Sequence, residues 1–177
     1  MHRQPLLSLL KTYAPADAGE TAMWQQTLAF VQAHPDCFER SLHIGHVTGS
    51  AWVVSPDRRQ VVLIHHRKLD RWFQPGGHAD GDPDVARVAR REAEEEVGLM
   101  SLRLVSPAIF DIDVHPIPAK GNEPEHLHYD IRFLFEADPD DEFVHSSETI
   151  DIKWVFVDRI NEFTSADSVI RMAKKII

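Results

Sequence analysis

The stretch Arg91-Glu92-Ala93-Glu94-Glu95-Glu96-Val97-Gly98-Leu99 concentrates more chemistry than any other part of the 177-residue chain. At about 100° per residue of an α-helix, Glu92, Glu95 and Glu96 fall within an arc of about 100°. Carboxylates crowded on one face repel one another unless cations compensate them, and hard divalent cations with oxygen ligands do this best. A solvated charged face is the other reading of the same spacing. Ala86, Ala89, Ala93 and Val97 occupy the adjacent arc and are expected to pack on a sheet, with Glu94 turned to solvent. Just upstream, Gly76 and Gly77 permit either an ordinary turn or a close approach of backbone to ligand.

A second constellation is His126-Leu127-His128-Tyr129-Asp130-Ile131-Arg132. On a strand, His126, His128, Asp130 and Arg132 share one face, and Leu127, Tyr129 and Ile131 share the other. The polar face suits a substrate pocket on the side of the glutamates, with Arg132 as a two-pronged phosphate partner. His-x-His is also a competent metal pair, and a hydrated sheet face is the plain alternative. Arg67, at the end of a strand, is a further phosphate candidate, although solvated strand-end charges are commoner. Trp72 and Phe73 could stack on a base or simply fill core.

These residues need a scaffold. Leu6, Leu7, Leu9, Leu10 and Tyr13 make a short apolar helix stopped before Pro15. Asp17 and Glu20 have the spacing of a capping box, and Met23, Thr27, Phe30 and Val31 recur at helical spacing up to His34-Pro35. Residues 1–40 therefore read as an N-terminal helical arm, and 41–177 as the main domain. Strands are expected at 47–54, 61–64, 102–113, 127–137 and 150–157. A helix capped by Asp82, with Pro83 in its first turn, runs to Gly98, and a last helix buries Val169, Ile170, Ala173 and Ile176. Strands and helices mix without regular alternation, which indicates an α/β fold with a mixed sheet between helices.

Composition narrows the function. The formal net charge is −9, from 19 basic and 28 acidic residues, which excludes a general basic surface for nucleic acid. A small phosphorylated ligand, or one brought in by metal ions, fits better. The single Cys37 excludes an internal disulfide and a cysteine zinc site, and is expected to be a buried packing residue. No apolar run approaches a membrane span, so a cytoplasmic protein is expected, with a homodimer left open.

The glutamate stretch resembles the Nudix box of the Nudix hydrolase superfamily, G-x5-E-x7-R-E-U-x-E-E-x-G-U with U bulky and aliphatic. Gly77 fills the first glycine, and Arg91, Glu92, Glu95, Glu96, Gly98 and Leu99 fill the second half at unbroken spacing. Five fixed letters at about 6% frequency each match by chance about once in a million windows. Two positions depart. Pro83 stands at the first glutamate, where Asp80, Asp82 or Asp84 could partly substitute, and Ala93 stands where a bulky residue is usual. Gly76-Gly77-His78 looks like a branch with histidine after the paired glycines.

The resemblance implies an α/β/α sandwich and metal-dependent hydrolysis of a nucleoside diphosphate linked to another moiety. Glu92, Glu95 and Glu96 would hold Mg2+ or Mn2+, and Arg91 would orient a glutamate or the loop. Glu148, in the loop before a late strand, would bind metal or act as general base, with Glu142 as the weaker substitute. Gly76, Gly77, His78, Arg67 and the histidine strand would meet substrate. The sequence is also compatible with two other functions. One is a non-catalytic nucleotide-binding module with a decayed box, marked by Pro83. The other is a Nudix-fold isomerase acting on a substrate such as isopentenyl diphosphate, which needs a catalytic cysteine that Cys37, upstream of the first strand, is poorly placed to be.

Overall fold

The computed structural model describes residues 2–67, 69–147 and 149–176. Helix α1, Gln4–Thr12, ends ahead of Pro15, and α2, Ala18–Ala33, begins where the Asp17 side chain accepts the Glu20 N–H at 2.8 Å. The reciprocal half of the box is redirected. The Glu20 carboxylate accepts the Ala16 N–H at 2.7 Å, the Tyr13 hydroxyl and the Lys175 ammonium, and is fully buried. Both helices dock on the sheet, since Leu6, Leu7, Leu10, Phe30 and Val31 share one hydrophobic cluster with Val47, Ala51, Ile131 and Phe133.

The sheet is built on β1 (Gly45–Val54), every residue of which is buried. It pairs in parallel with β7 (His126–Glu136), which puts His46 beside His128 and Ser50 beside Arg132. The remaining pairings are antiparallel. β2 (Gln60–His66) meets β1 only at Val61 and Val54, then turns to pair with β3 (Arg71–Phe73) and β8 (Thr149–Phe156). In the gap that the splay leaves beside β1 lies β4 (Gly76–His78). β5 (Arg103–Leu104) and β6 (Asp111–Ile117) pair with β7. Among the described residues these eight strands form one mixed sheet.

Alternation along β1 sorts the layers. Val47, Ala51 and Val53 face α1, α2 and α3 (Val85–Val97), whereas Trp52 and Val54 face a 3-10 turn (Val157–Glu162) and α4 (Asp167–Lys174). The result is the α/β/α sandwich expected. No described helix is long and apolar enough to cross a membrane.

Four local expectations change. The strand expected over 102–113 is broken into β5 and β6 around Ser106-Pro107, because proline has no N–H for the ladder. β4 occupies the paired glycines, where an ordinary turn is one expectation, and β3 is an additional short strand. The helix cap is Asp84, which accepts the Arg87 N–H at 3.1 Å. Asp82 instead makes a turn, accepting the Asp84 N–H at 2.9 Å and gripping the Arg87 guanidinium. In α4, Met172 is buried with Val169 and Ala173, and Ile170 is only half-buried.

Candidate active site

Helix α3 is anchored by Val85, Val88, Ala89, Ala93 and Val97 and ended by Gly98 at φ 76°, the left-handed conformation that glycine tolerates best. Its glutamates do not project equally. Glu92 leans over β4, its side chain 17% exposed, and burial raises its carboxyl above the ordinary value against the pull of Arg91. Glu96 accepts the Gly76 N–H at 2.9 Å. Glu95 is the outward residue, 64% exposed, and Glu94 is more covered at 33%, beside Arg90 at 3.6 Å. Glu94, expected to face solvent, is instead partly covered, with Arg90 as its neighbour.

Arg91 ties the helix to the strand. Its guanidinium donates to the His78 carbonyl at 2.8 Å and to Glu92 at 2.7 Å, and stands 4.0 Å from Glu95. The paired glycines are required by close packing. A Cβ on Gly77 would stand 2.5 Å from Glu92 Cδ, and one on Gly76 would stand 2.8 Å from Ser50 Cα. Since Gly77 faces α3, His78 faces the opposite side of the sheet.

The polar face of β7 lies on that opposite side. A Cβ at Gly49 would meet Val85 and Val88 of α3, so its neighbours Thr48 and Ser50 point away from the helix, and the register aligns them with Asp130 and Arg132. The shared pocket expected for these residues and the glutamates is therefore corrected by strand alternation. Arg132 is also not a phosphate fork. It is 2% exposed, with Nε 2.7 Å from Asp130, Nη1 3.1 Å from Asp111 and Nη2 3.3 Å from Asp113. Asp130 is equally enclosed, accepting from Thr48 at 2.9 Å and Ser50 at 2.8 Å. Arg171 at 2.8 Å and Lys175 at 2.7 Å complete the network on Asp111. Buried charges need such pairing.

Arg67 donates to the Ser147 and Thr149 carbonyls, both at 3.2 Å, and so grips the chain on either side of position 148. Glu148 itself lies outside the described residues. Asp80, 45% exposed, pairs with Arg40, so all three aspartates near Pro83 have partners. Trp72 stacks on His65 with ring centres 5.0 Å apart and packs against the second core cluster with Phe73. Cys37 is buried, and burial pushes its thiol up to about 11.

On the face away from α3 the rings of His46, His78, His126 and His128 gather, with His115 beside His128. Burial first, then the neighbouring imidazoles, lowers His46 to about 4 and His128 to about 2, and burial lowers His78. His46 and His115 were not singled out from sequence. The signal available was register: both sit at the same level of the sheet as His128.

A curled mixed sheet between helices, with a glutamate-bearing helix closed over paired glycines, defines a Nudix-type hydrolase fold. The NUDIX domain family model matches residues 46–174, and the chain belongs to that family, as an enzyme of the pyrophosphohydrolase type. Solved structures agree on the fold. A C. elegans Ap4A hydrolase is 17% identical, covering 73% of this chain and 93% of its own, with a TM-score of 0.58. The E. coli dihydroneopterin triphosphate pyrophosphohydrolase is 16% identical, covering 73% and 92%, at 0.55. A MutT protein from Methanosarcina mazei Go1 is 17% identical, covering 76% and 94%, at 0.55. No curated protein matches the chain in sequence.

Proposed function

We propose that this enzyme cleaves a diphosphate bond in a nucleoside diphosphate linked to another moiety, with Mg2+ or Mn2+ held by Glu92, Glu95 and Glu96. The observation that carries the reading is the closure of α3 on β4: Glu96 on the Gly76 N–H, Glu92 over Gly77, and Arg91 bridging Glu92 to the His78 carbonyl. The donor set fits a hard cation, being three carboxylates within two helical turns with one nearby guanidinium. Glu95 is exposed, and exposed side chains change rotamer readily. Names of two fold neighbours, Ap4A hydrolase and dihydroneopterin triphosphate pyrophosphohydrolase, support the bond type.

A bound divalent ion neutralises phosphate oxygens and lowers the pKa of a bound water. The chain's own part is positional. Gly76 and Gly77 let backbone and carboxylates approach closely, Arg91 fixes the Glu92 rotamer, and Arg67 secures the loop from which Glu148 would act as a further ligand or general base. The substrate is small and phosphorylated, brought in by metal because the protein is acidic.

Phosphate release from nucleotide sugars, dinucleoside polyphosphates, ADP-ribose, NADH and nucleoside triphosphates, with Mg2+ or Mn2+ and with chelator, tests this. Expected are metal-dependent release and its loss in Glu95→Gln with the fold retained. Unchanged turnover of Glu95→Gln at saturating Mg2+ overturns the role of Glu95. Metal uptake with no release on any substrate would favour the binding-module reading.

A further inference from the structure

The histidine cluster has no part in the chemistry above, and it is built from three separate strands. His46 comes from β1, His78 from β4 and His128 from β7. One ring nitrogen of each lies within 4.8 Å of the others, and this is the one such group of three His, Cys, Asp or Glu ligand atoms among the described residues. We propose that His46, His78 and His128 bind a borderline transition-metal cation of the zinc class, with His126 at the rim of the site.

The first support is an orphaned buried imidazole. His46 is 3% exposed, and neither of its ring nitrogens has a hydrogen-bond partner. The Leu42 backbone lies near enough to favour the protonated ring slightly, but no bond of ordinary geometry forms. Buried polar atoms are nearly always satisfied, and one left unpaired bears its full desolvation cost. A metal at the centre of the three rings satisfies a nitrogen on each at once.

The second support is spacing. Imidazole nitrogens at about 2.0–2.1 Å from a tetrahedral ion stand about 3.3–3.4 Å apart. His126 Nε2 and His128 Nε2 are 3.3 Å apart, a distance that also suits a hydrogen bond between the rings, while the ring nitrogens of His46, His78 and His128 lie within a looser 4.8 Å of one another. His126 Nδ1 is 2.9 Å from the Pro124 carbonyl, which can only accept, so Nδ1 carries the proton and Nε2 presents its lone pair towards the cluster. That outer hydrogen bond is the usual means of fixing a ligating imidazole. His115, held by Asp113 at 2.9 Å, packs its ring 5.5 Å from His128 and brings a carboxylate to the same side. Neutral imidazoles select zinc, copper, nickel or iron over magnesium, so this site and the glutamates differ in the ions they choose.

Position gives the site its consequence. β4 is three residues long, with Gly77 under Glu92 and His78 in the cluster. A cation joining His78 to His46 and His128 would fasten β4 to the two central strands and so hold the glycines against which α3 closes.

The test uses the untagged full chain, stripped with chelator, and Co2+ alone as a spectroscopic probe. Expected is one equivalent of Co2+ with the intense visible bands of a tetrahedral, nitrogen-ligated ion, displaced by Zn2+. The bands should persist in the triple variant Glu92→Gln, Glu95→Gln, Glu96→Gln. They should weaken at least tenfold in apparent affinity in His128→Asn and in His78→Asn, each checked for native circular dichroism. His126→Asn, at a half-exposed rim position, supplies a variant that should fold if the others do not, and it should shift the bands. Only the weak spectrum of octahedral Co2+, bands lost in the glutamate variant, or bands unchanged in folded histidine variants would overturn the site.

Discussion

Gly77→Ala separates packing for stability from packing for function. Gly77 lies in β4 with extended backbone, so alanine meets no conformational barrier there, and the stiffer unfolded chain contributes roughly 0.4–1 kcal/mol in its favour. The new Cβ would stand 2.5 Å from Glu92 Cδ, whereas ordinary contact begins at 3.4 Å. The carboxylate must therefore retreat by about 1 Å, which a side-chain terminus can do at little cost to the fold. Metal binding is less tolerant. A displacement of that size lowers rate on the order of 100-fold, and a disturbed ligand shell lowers metal affinity by roughly 10–100-fold. The melting temperature should stay near wild type while Mn2+ affinity, read by electron paramagnetic resonance, and kcat/KM on the substrate found by the release screen both fall. Gly76→Ala is the contrast, since its Cβ would press at 2.8 Å on the Ser50 backbone and should damage the fold itself. A Gly77→Ala enzyme with native melting, Mn2+ affinity and rate would show that Glu92 does not work from above β4.

Asp84→Ala should lower stability by about 1 kcal/mol through loss of the helix cap, seen as a drop of roughly 2–4 °C in melting temperature, while Asp82→Asn should keep its full rate because that side chain is held by Arg87 and the Asp84 N–H. Arg132→Ala should destabilise by roughly 3–5 kcal/mol in denaturant titration by stranding buried Asp111 and Asp130, not merely raise KM; a folded variant altered only in KM would restore the phosphate role. Burial pushes Asp111 up, but hydrogen bonding from Arg171 and the charges of Arg132 and Lys175 outweigh it and hold the carboxyl below its ordinary value. The folded state then binds this proton less readily than the unfolded chain, so the contribution is complete above the ordinary carboxylate value and is lost as pH falls from there through the lowered folded-state value; unfolding followed by circular dichroism should show stability falling with acid over that interval, and a flat profile there would refute it.

Much of this site was legible because a helix repeats at short range. The spacing of Glu92, Glu95 and Glu96 and the stop at Gly98 need only residues within two turns. What the glutamates face was not legible, because β4 reaches β1 across more than twenty residues and its pairing depends on the splay of β2. For the same reason strand alternation placed His126, His128, Asp130 and Arg132 together but could not say which side of the sheet α3 would cover. Period 2 fixes relative sides, and the choice between them falls to packing. The large residues Tyr129, Ile131 and Phe133 took the side of α2 and α3, which left Arg132 to α4 and the aspartates. Arg132 shows why residue type alone misleads. A lone arginine on a strand reads as a phosphate ligand, but Asp111 and Asp113 arrive from β6, whose break at Pro107 was invisible to periodicity.

β4 lies between the two candidate sites and touches both. Successive residues of a strand face opposite sides, so a three-residue strand can serve two sites only if each residue is the right one. Gly76 leaves its N–H for Glu96, Gly77 leaves space for Glu92, and His78 turns to the imidazoles while its carbonyl accepts from Arg91. Histidine directly after the paired glycines thus links the far face of the sheet to α3 through one peptide unit. Any cation bound at His46, His78 and His128 would act on Glu92 and Glu96 through the position of β4, and the distinguishing measurement is Mn2+ affinity at the glutamates with and without Zn2+ at the histidines. Equal affinity in both states would leave two independent sites; tighter Mn2+ binding with Zn2+ present would establish the coupling that this strand makes physically available.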